Sequence, residues 1–185
     1  MAYDKQTFLK EVTILHDTRE QKNRHILDRL DQMKVKHQEK ALVFGDYSFM
    51  AQGRDFSMNC VIERKANVDE LYGNLIKDRS RIEREFEAGS TIANQFTLML
   101  ETVPDMESLR TYEVPEWKMR AEHRQVREIG AHCYATLQSW QCGNRYRFHT
   151  IFSEDQAESA VKILECFYWY WRNFKMLTAS RRNRG

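Results

Sequence analysis

The chain has 185 residues, with 29 Lys and Arg against 27 Asp and Glu, a formal net charge of +2; it is 42% hydrophobic and 12% aromatic. That composition excludes disorder as the main state, and the length suits one domain. Only seven Gly and two Pro exclude collagen-like and linker-dominated chains.

Val12 and Ile14 predict a strand over 11–16 that ends at Asp17. Ile26, Leu27, Leu30 and Met33 fall at helical spacing and predict a helix over 20–34. From 41 to 65 the β-branched and aromatic content rises, and Gln52-Gly53-Arg54-Asp55 supplies a turn. Residues 42–51 and 57–65 therefore read as the two arms of a hairpin. Over 68–86, Val68, Leu71, Tyr72, Leu75, Ile76, Ile82 and Phe86 form one stripe, which predicts a single helix with Gly89 as its stop signal. Phe96, Leu98 and Leu100 predict a buried strand over 92–101, ended by Pro104. Pro115 opens a long helix to residue 141, with Val126, Ile129, Cys133, Leu137 and Trp140 on its inner face. Gly143-Asn144 turns the chain into a strand over 146–152, and Ser153 with Gln156 makes a capping box for a last helix to 177. The order β-α-β-β-α-β-α-β-α predicts a single α/β domain, a central mixed β-sheet flanked by helices. It divides into an extension over 1–10, the domain proper over 11–178 and a basic tail over 179–185. No apolar run approaches the ~20 residues of a membrane span. The first twenty residues carry Asp4, Glu11, Asp17 and Glu20, so neither a signal peptide nor a membrane partner is expected.

The hairpin carries the chemistry. With its turn near Gly53, Asp46 falls opposite residues 61–63, within side-chain reach of Glu63. Glu63 and Lys65 are two apart and share a sheet face, while Arg64 points to the other. Two carboxylates beside an ammonium suit a hard cation such as Mg²⁺ or Mn²⁺, which binds through one or two carboxylates plus a phosphate. The lysine could hold an attacking water or neutralise charge on a phosphorane-like transition state. The spacing is common by chance, and taken alone it favours a cross-strand salt bridge on a solvated face.

Further residues extend the pattern. Asp17-Thr18-Arg19-Glu20, Gly45-Asp46-Tyr47, Glu63-Arg64-Lys65 and Asp69 stand in the order of four boxes. Together they resemble the nuclease domain of XPF-type structure-selective endonucleases, within the PD-(D/E)XK nuclease superfamily. The signature reads Gly45-Asp46, sixteen residues, Glu63-Arg64-Lys65, three residues, then Asp69. Arg79 with Glu83 is similar to the family's G-R-x-x-x-Q segment. The resemblance implies a restriction-endonuclease-like fold and metal-dependent hydrolysis of DNA at branched, flapped or distorted sites, in repair or recombination. It makes Asp46, Glu63 and Asp17 metal ligands and Lys65 the residue serving the attacking water. Arg19, Glu20, Arg64, Asp69 and Arg79 would support them. Arg79 also falls on the apolar stripe, where an unpaired charge is costly, so it reaches a carboxylate or a DNA phosphate, or else snorkels to solvent. The domain is read as standing alone, without the tandem helix-hairpin-helix motifs of eukaryotic members. It would work inside the cell, in cytoplasm or nucleoid for a microbe or phage and in the nucleus for a eukaryote. A catalytically inactive DNA- or partner-binding module is the alternative, and the site chemistry does not distinguish DNA from RNA.

The run Phe167-Tyr168-Trp169-Tyr170-Trp171-Arg172-Asn173-Phe174 puts aromatics all round the last helix. A homodimer or heterodimer contact, or stacking on bases, would cover the outward rings. Arg181, Arg182 and Arg184 are either a solvated end or phosphate contacts. Cys60, Cys133, Cys142 and Cys166 include no C-x-x-C pair and read as thiols of a reducing compartment rather than a zinc site with His132. The six histidines form no relay.

Overall fold

Phe8, Val12 and Ile14 lead the chain into the core of a computed structural model that describes residues 5–182. The helix α1 (Lys5–Glu11) runs directly into β1 (Val12–His16), followed by α2 (Arg24–Gln32), with Ile26 and Leu30 buried on one face. A short strand absent from the sequence expectation follows, β2 (Lys36–Glu39). Its Lys-His-Gln-Glu sequence is polar and largely exposed because it forms a sheet edge, and such a strand leaves no apolar signature.

Next come β3 (Tyr47–Ala51), β4 (Arg54–Asp55) and β5 (Cys60–Lys65). Gln52 and Gly53 both take positive φ, 51° and 74°, so a two-residue turn joins β3 to β4. The expected long arms are therefore shorter, and residues 42–46 are irregular. The register is nonetheless the anticipated one, with Tyr47 opposite Ile62. The single helix expected over 68–86 is two, α3 (Val68–Ile76) and α4 (Arg79–Ile92). Lys77 and Asp78 both turn their N–H groups back to the Gly73 carbonyl, at 2.8 and 3.4 Å. Gly73 is a weak helix former, and the break leaves Ile76 56% exposed while Ile82 and Phe86 are buried.

The chain continues through β6 (Gln95–Glu101), α5 (Met106–Arg110), α6 (Glu116–Ala121) and α7 (Ile129–Gln141). Here the expected long helix is interrupted. His123 has φ +50°, and Val126 is 40% exposed rather than on an inner face. Val114 N–H donates to the Arg127 carbonyl at 2.9 Å, and Gly130 N–H to that of Tyr112 at 3.1 Å, closing the segment on itself. A Cβ on Gly130 would lie 2.2 Å from the Leu109 carbonyl oxygen, so this approach of α7 to α5 requires glycine. Finally β7 (His149–Ser153) leads to α8 (Ser159–Arg182). Ser153 ends the strand and donates to the Asp155 carbonyl instead of capping the helix, which starts six residues later.

The strands form one mixed seven-stranded sheet, in the order β2-β1-β3-β5-β6-β7 with β4 beside β3. The β1–β3 and β3–β5 pairs are antiparallel, whereas β1–β2, β5–β6 and β6–β7 are parallel. Alternation along β5 divides its side chains between two cores. Val61 packs with α3, α4 and α7 (Leu71, Ile82, Phe86, Leu137, Trp140), and Cys60 and Ile62 with α1, α2 and α8 (Phe8, Ile26, Leu30, Phe167, Trp171).

The last helix finds most of its aromatic partners within its own chain. Phe56 contacts Trp171 and Phe174 edge-on at 5.2 and 5.3 Å, and Phe8 meets Tyr168 at 5.7 Å. Trp169 is left 53% exposed. The β3–β4 hairpin and α1 thus house rings that were expected to need a second chain. Of the tail arginines, Arg184 lies outside the described residues, as do the side chains of Arg181 and Arg182. Among the described residues no helix is long and apolar enough to cross a membrane.

Candidate active site

Glu63 and Lys65 lie at the end of β5 on the face that carries Val61, and the loop before β3 brings Asp46 to them. Gly45 makes this approach possible. Its φ is +72°, and a Cβ there would stand 2.2 Å from Val61 Cγ1. Asp46 N–H donates to the Ile62 carbonyl at 2.8 Å, and Arg64 N–H donates to Asp46 Oδ2 at 2.7 Å. Asp46, Glu63 and Lys65 share a cleft of about 270 Å³ with Glu20, Arg81 and Glu85.

At the centre of the cleft three carboxyl groups, of Asp46, Glu63 and Glu85, gather with the Lys65 ammonium. Glu63 and Lys65 are each 3% exposed, and Lys65 Nζ donates to Glu63 Oε1 at 2.6 Å. Burial and then the Glu63 charge push the Asp46 carboxyl well above the usual range, against the pull of Lys65 and the Arg64 N–H. Burial works against the Lys65 charge too, but Glu63 and Asp46 outweigh it and raise the ammonium. Lys65 is therefore a fixed cation rather than a base at neutral pH.

Glu85 is a cleft residue that the sequence reading missed. Burial, the Glu63 charge and a hydrogen bond with Glu63 push it up to about 7, and its Oε2 is buried without a hydrogen-bond partner. The signal was present in the sequence, because Arg79…Glu83 and Arg81…Glu85 repeat the same i,i+4 spacing two residues apart. The structure puts the second pair in the cleft. Arg79 does not line this cleft: it pairs with Glu83 at 3.0 Å and lies 5.7 Å over the Trp140 ring.

The other motif residues hold the frame. Asp17 spends its carboxylate on the loop: Oδ1 accepts from Arg19 N–H and Nε at 2.8 and 2.6 Å, and Oδ2 from Leu42 N–H at 2.6 Å. Burial opposes its ionisation, and these bonds still hold it below the usual range. In this arrangement the Asp17 carboxylate fixes residues 17–19 against residue 42. Arg64 points away from Lys65, as alternation requires. It donates to Glu101 at 2.6 Å, Glu20 at 3.1 Å and the Lys22 carbonyl at 3.2 Å, while His25 Nε2 donates to Glu101 at 2.9 Å. Asp69 accepts from Tyr112 Oη at 3.0 Å and pairs with Lys118 and Arg124, anchoring the α5–α7 connection to α3.

The donor set fits a hard divalent cation. Asp46 and Glu63 offer oxygen ligands whose mutual repulsion a cation would relieve, and Glu85 presents an unpartnered buried oxygen beside them. Among the described residues no three His, Cys, Asp or Glu side chains close into a ready cage.

Glu85 makes the stability of the metal-free protein pH-dependent. A carboxyl raised from 4.5 to about 7 contributes stability that is complete below 4.5 and lost as pH rises through about 7. Glu85→Gln mimics the protonated form. In EDTA it should raise Tm at pH 8 and leave it nearly unchanged at pH 4.5. Equal effects at both pH values in a thermal scan would contradict the assignment.

Residues 16–166 match the ERCC4 domain family. The fold is similar to that of XPF from Aeropyrum pernix, with a TM-score of 0.58 and 16% identity over 85% of this chain and 61% of that one. A second structure, XPF from Aeropyrum pernix in complex with DNA, matches at TM-score 0.58 and 17% identity over 87% of this chain and 66% of that one. The chain thus spans less than two thirds of either matched chain. No curated protein is recognisably similar to it in sequence.

Proposed function

We propose, since this chain belongs to the ERCC4 domain family, that it is a metal-dependent endonuclease hydrolysing phosphodiester bonds of branched, flapped or distorted DNA. The observation that carries this reading is the convergence of Asp46, Glu63 and Lys65 in one cleft, with Lys65 held on Glu63. The DNA bound in one of the similar structures supports the choice of substrate.

Asp46 and Glu63 would hold Mg²⁺, or Mn²⁺ in its place, and the ion when bound supplies Lewis-acid polarisation of the phosphodiester. The chain's own residues orient and neutralise. Lys65 keeps its proton, points its N–H bonds at the attacking water or a phosphate oxygen, and offsets charge that develops in the transition state. Arg81, on the cleft wall, is placed to meet a neighbouring phosphate. Arg64, Glu101 and Glu20 lock the backbone of β5 from behind, so the cleft groups need little reorganisation.

The test is cleavage of single-stranded, duplex, flap, fork and four-way-junction DNAs in Mg²⁺, Mn²⁺, Ca²⁺ or EDTA. Cutting of at least one substrate in Mg²⁺ or Mn²⁺ and none in EDTA is expected; Ca²⁺ should fail, because its looser coordination positions water poorly. Binding without cutting in any metal would favour a catalytically inactive module.

DNA affinity should also fall steeply with salt despite the +2 net charge, by about 0.9 log units per log unit of salt for each phosphate neutralised. A salt-independent Kd in titrations across monovalent salt would contradict phosphate contacts. Pairing with a second chain would use the outer surface of α8, where Trp169, Met176 and Leu177 are exposed.

A further inference from the structure

On the sheet face opposite the acidic cleft, β5 brings a second reactive pair together. Cys60 opens β5 and is fully buried, and its register partner on β6 is Gln95. Partners in a parallel pair project to the same face, and Thr97, two residues on, projects there too. Helix α8 crosses this face and sets Cys166 against it. Gln95 Nε2 donates to Cys166 Sγ at 3.1 Å, and Thr97 Oγ1 lies 3.8 Å from the same sulfur. Cys60 belongs to the core cluster that Cys166 packs against, beside the same Gln95.

The two sulfurs are unequal. Donation from Cys60, then from Thr97 and Gln95, holds Cys166 below the usual thiol range against the effect of burial, whereas burial pushes Cys60 well up. Cys166 is partly exposed and lines a surface pocket with Lys162 and Trp169. A reactive cysteine needs this combination of thiolate character and access. Cys133 is buried apart from the pair, and Cys142 is exposed on the surface.

We propose that Cys166 is a peroxide-reactive thiol and that Cys60 resolves its oxidised form as a disulfide joining β5 to α8. The Cys166 thiolate attacks the peroxide O–O bond; the sulfur gains oxygen as a sulfenic acid, and hydroxide leaves. The Cys60 sulfur then attacks the Cys166 sulfur, the S–O bond breaks, and the oxygen departs as water with the Cys60 proton. Two thiols are oxidised and one peroxide is reduced. The resulting link ties the strand that carries Glu63 and Lys65 to the C-terminal helix, and a thiol reductant reverses it.

The experiment needs neither DNA nor metal, so it stands apart from the nuclease reading. The full chain carrying Cys142→Ser is treated with hydrogen peroxide and mapped by mass spectrometry. A linked Cys60–Cys166 peptide is expected, with loss of two hydrogens and a Tm raised by about 5 °C until reductant is added. With Cys60→Ala added, a carbon nucleophile specific for sulfenic acid should label Cys166. Should that variant fail to fold, the map of the Cys142→Ser protein decides alone. Cys166 reacting no faster than Cys133, or oxidising to sulfinic acid while Cys60 stays free, overturns the proposal.

Discussion

Asp46→Asn and Glu63→Gln should each lower cleavage at least about a thousandfold, because each removes a ligand charge that polarises the phosphodiester. Shape barely changes: the amide that replaces the Asp46 carboxylate would retain an oxygen for the Arg64 N–H, which now donates to Asp46 at 2.7 Å. DNA binding should hold or tighten, since a phosphate would no longer face two carboxylates. Folding of Asp46→Asn should not suffer either. Asp46 sits beside Glu63 at a raised pKa, so neutralising it relieves like-charge repulsion and should raise Tm in EDTA. Lys65→Ala separates the two roles of the lysine. It should also abolish cutting, yet it leaves Glu63 buried without its 2.6 Å partner, which costs about 3–5 kcal/mol, and Mg²⁺ should restore part of that loss. Combined substitutions should cut little worse than single ones, as for groups that serve one transition state. Single-turnover cleavage measured beside thermal scans checks all of this. A Glu63→Gln protein that cuts like the parent in Mg²⁺ would remove the cleft from consideration as the active site.

A second large effect on stability should come from behind the cleft. Glu101 is fully buried, and its carboxylate takes both Arg64 Nη1 at 2.6 Å and His25 Nε2 at 2.9 Å. Burial works against the Arg64 charge, but Glu101 and Glu20 outweigh it and keep the guanidinium charged. Glu101→Gln, or Arg64→Met, strands the opposite charge in the interior and should cost about 3–5 kcal/mol. For a chain of this size that lowers Tm by roughly 10 °C or more. The double variant removes both charges and should recover much of the loss, a coupling that urea denaturation of the four proteins would measure. If Glu101→Gln unfolds within 1 kcal/mol of the parent, roughly the scale of an exposed ion pair, the network does not brace β5.

The sequence by itself determined the parts of the site that local geometry controls. The period of two along a strand puts Glu63 and Lys65 on one face and Arg64 on the other. A turn at Gly53 and the Tyr47–Ile62 register then bring Asp46 alongside. The mixed sheet with flanking helices followed from the same alternations, because apolar spacing reports which face of each element is buried. Tertiary structure decided what depends on residues distant in the chain. Asp17 has both its oxygens occupied, one of them by Leu42 N–H twenty-five positions away. Asp69 meets Lys118 and Arg124 only because α6 folds back over α3. Either of two Arg-x-x-x-Glu pairs could have faced the cleft. The break after α3 reorients α4 so that Ile82 and Phe86 go inward and Arg81 and Glu85 reach the acids. The aromatic helix looked too apolar for one domain until α1 and the β3–β4 hairpin supplied Phe8, Phe49 and Phe56 to cover it. Periodicity shows that a side chain needs a partner, but the partner's identity is fixed only when elements far apart in the chain come into contact.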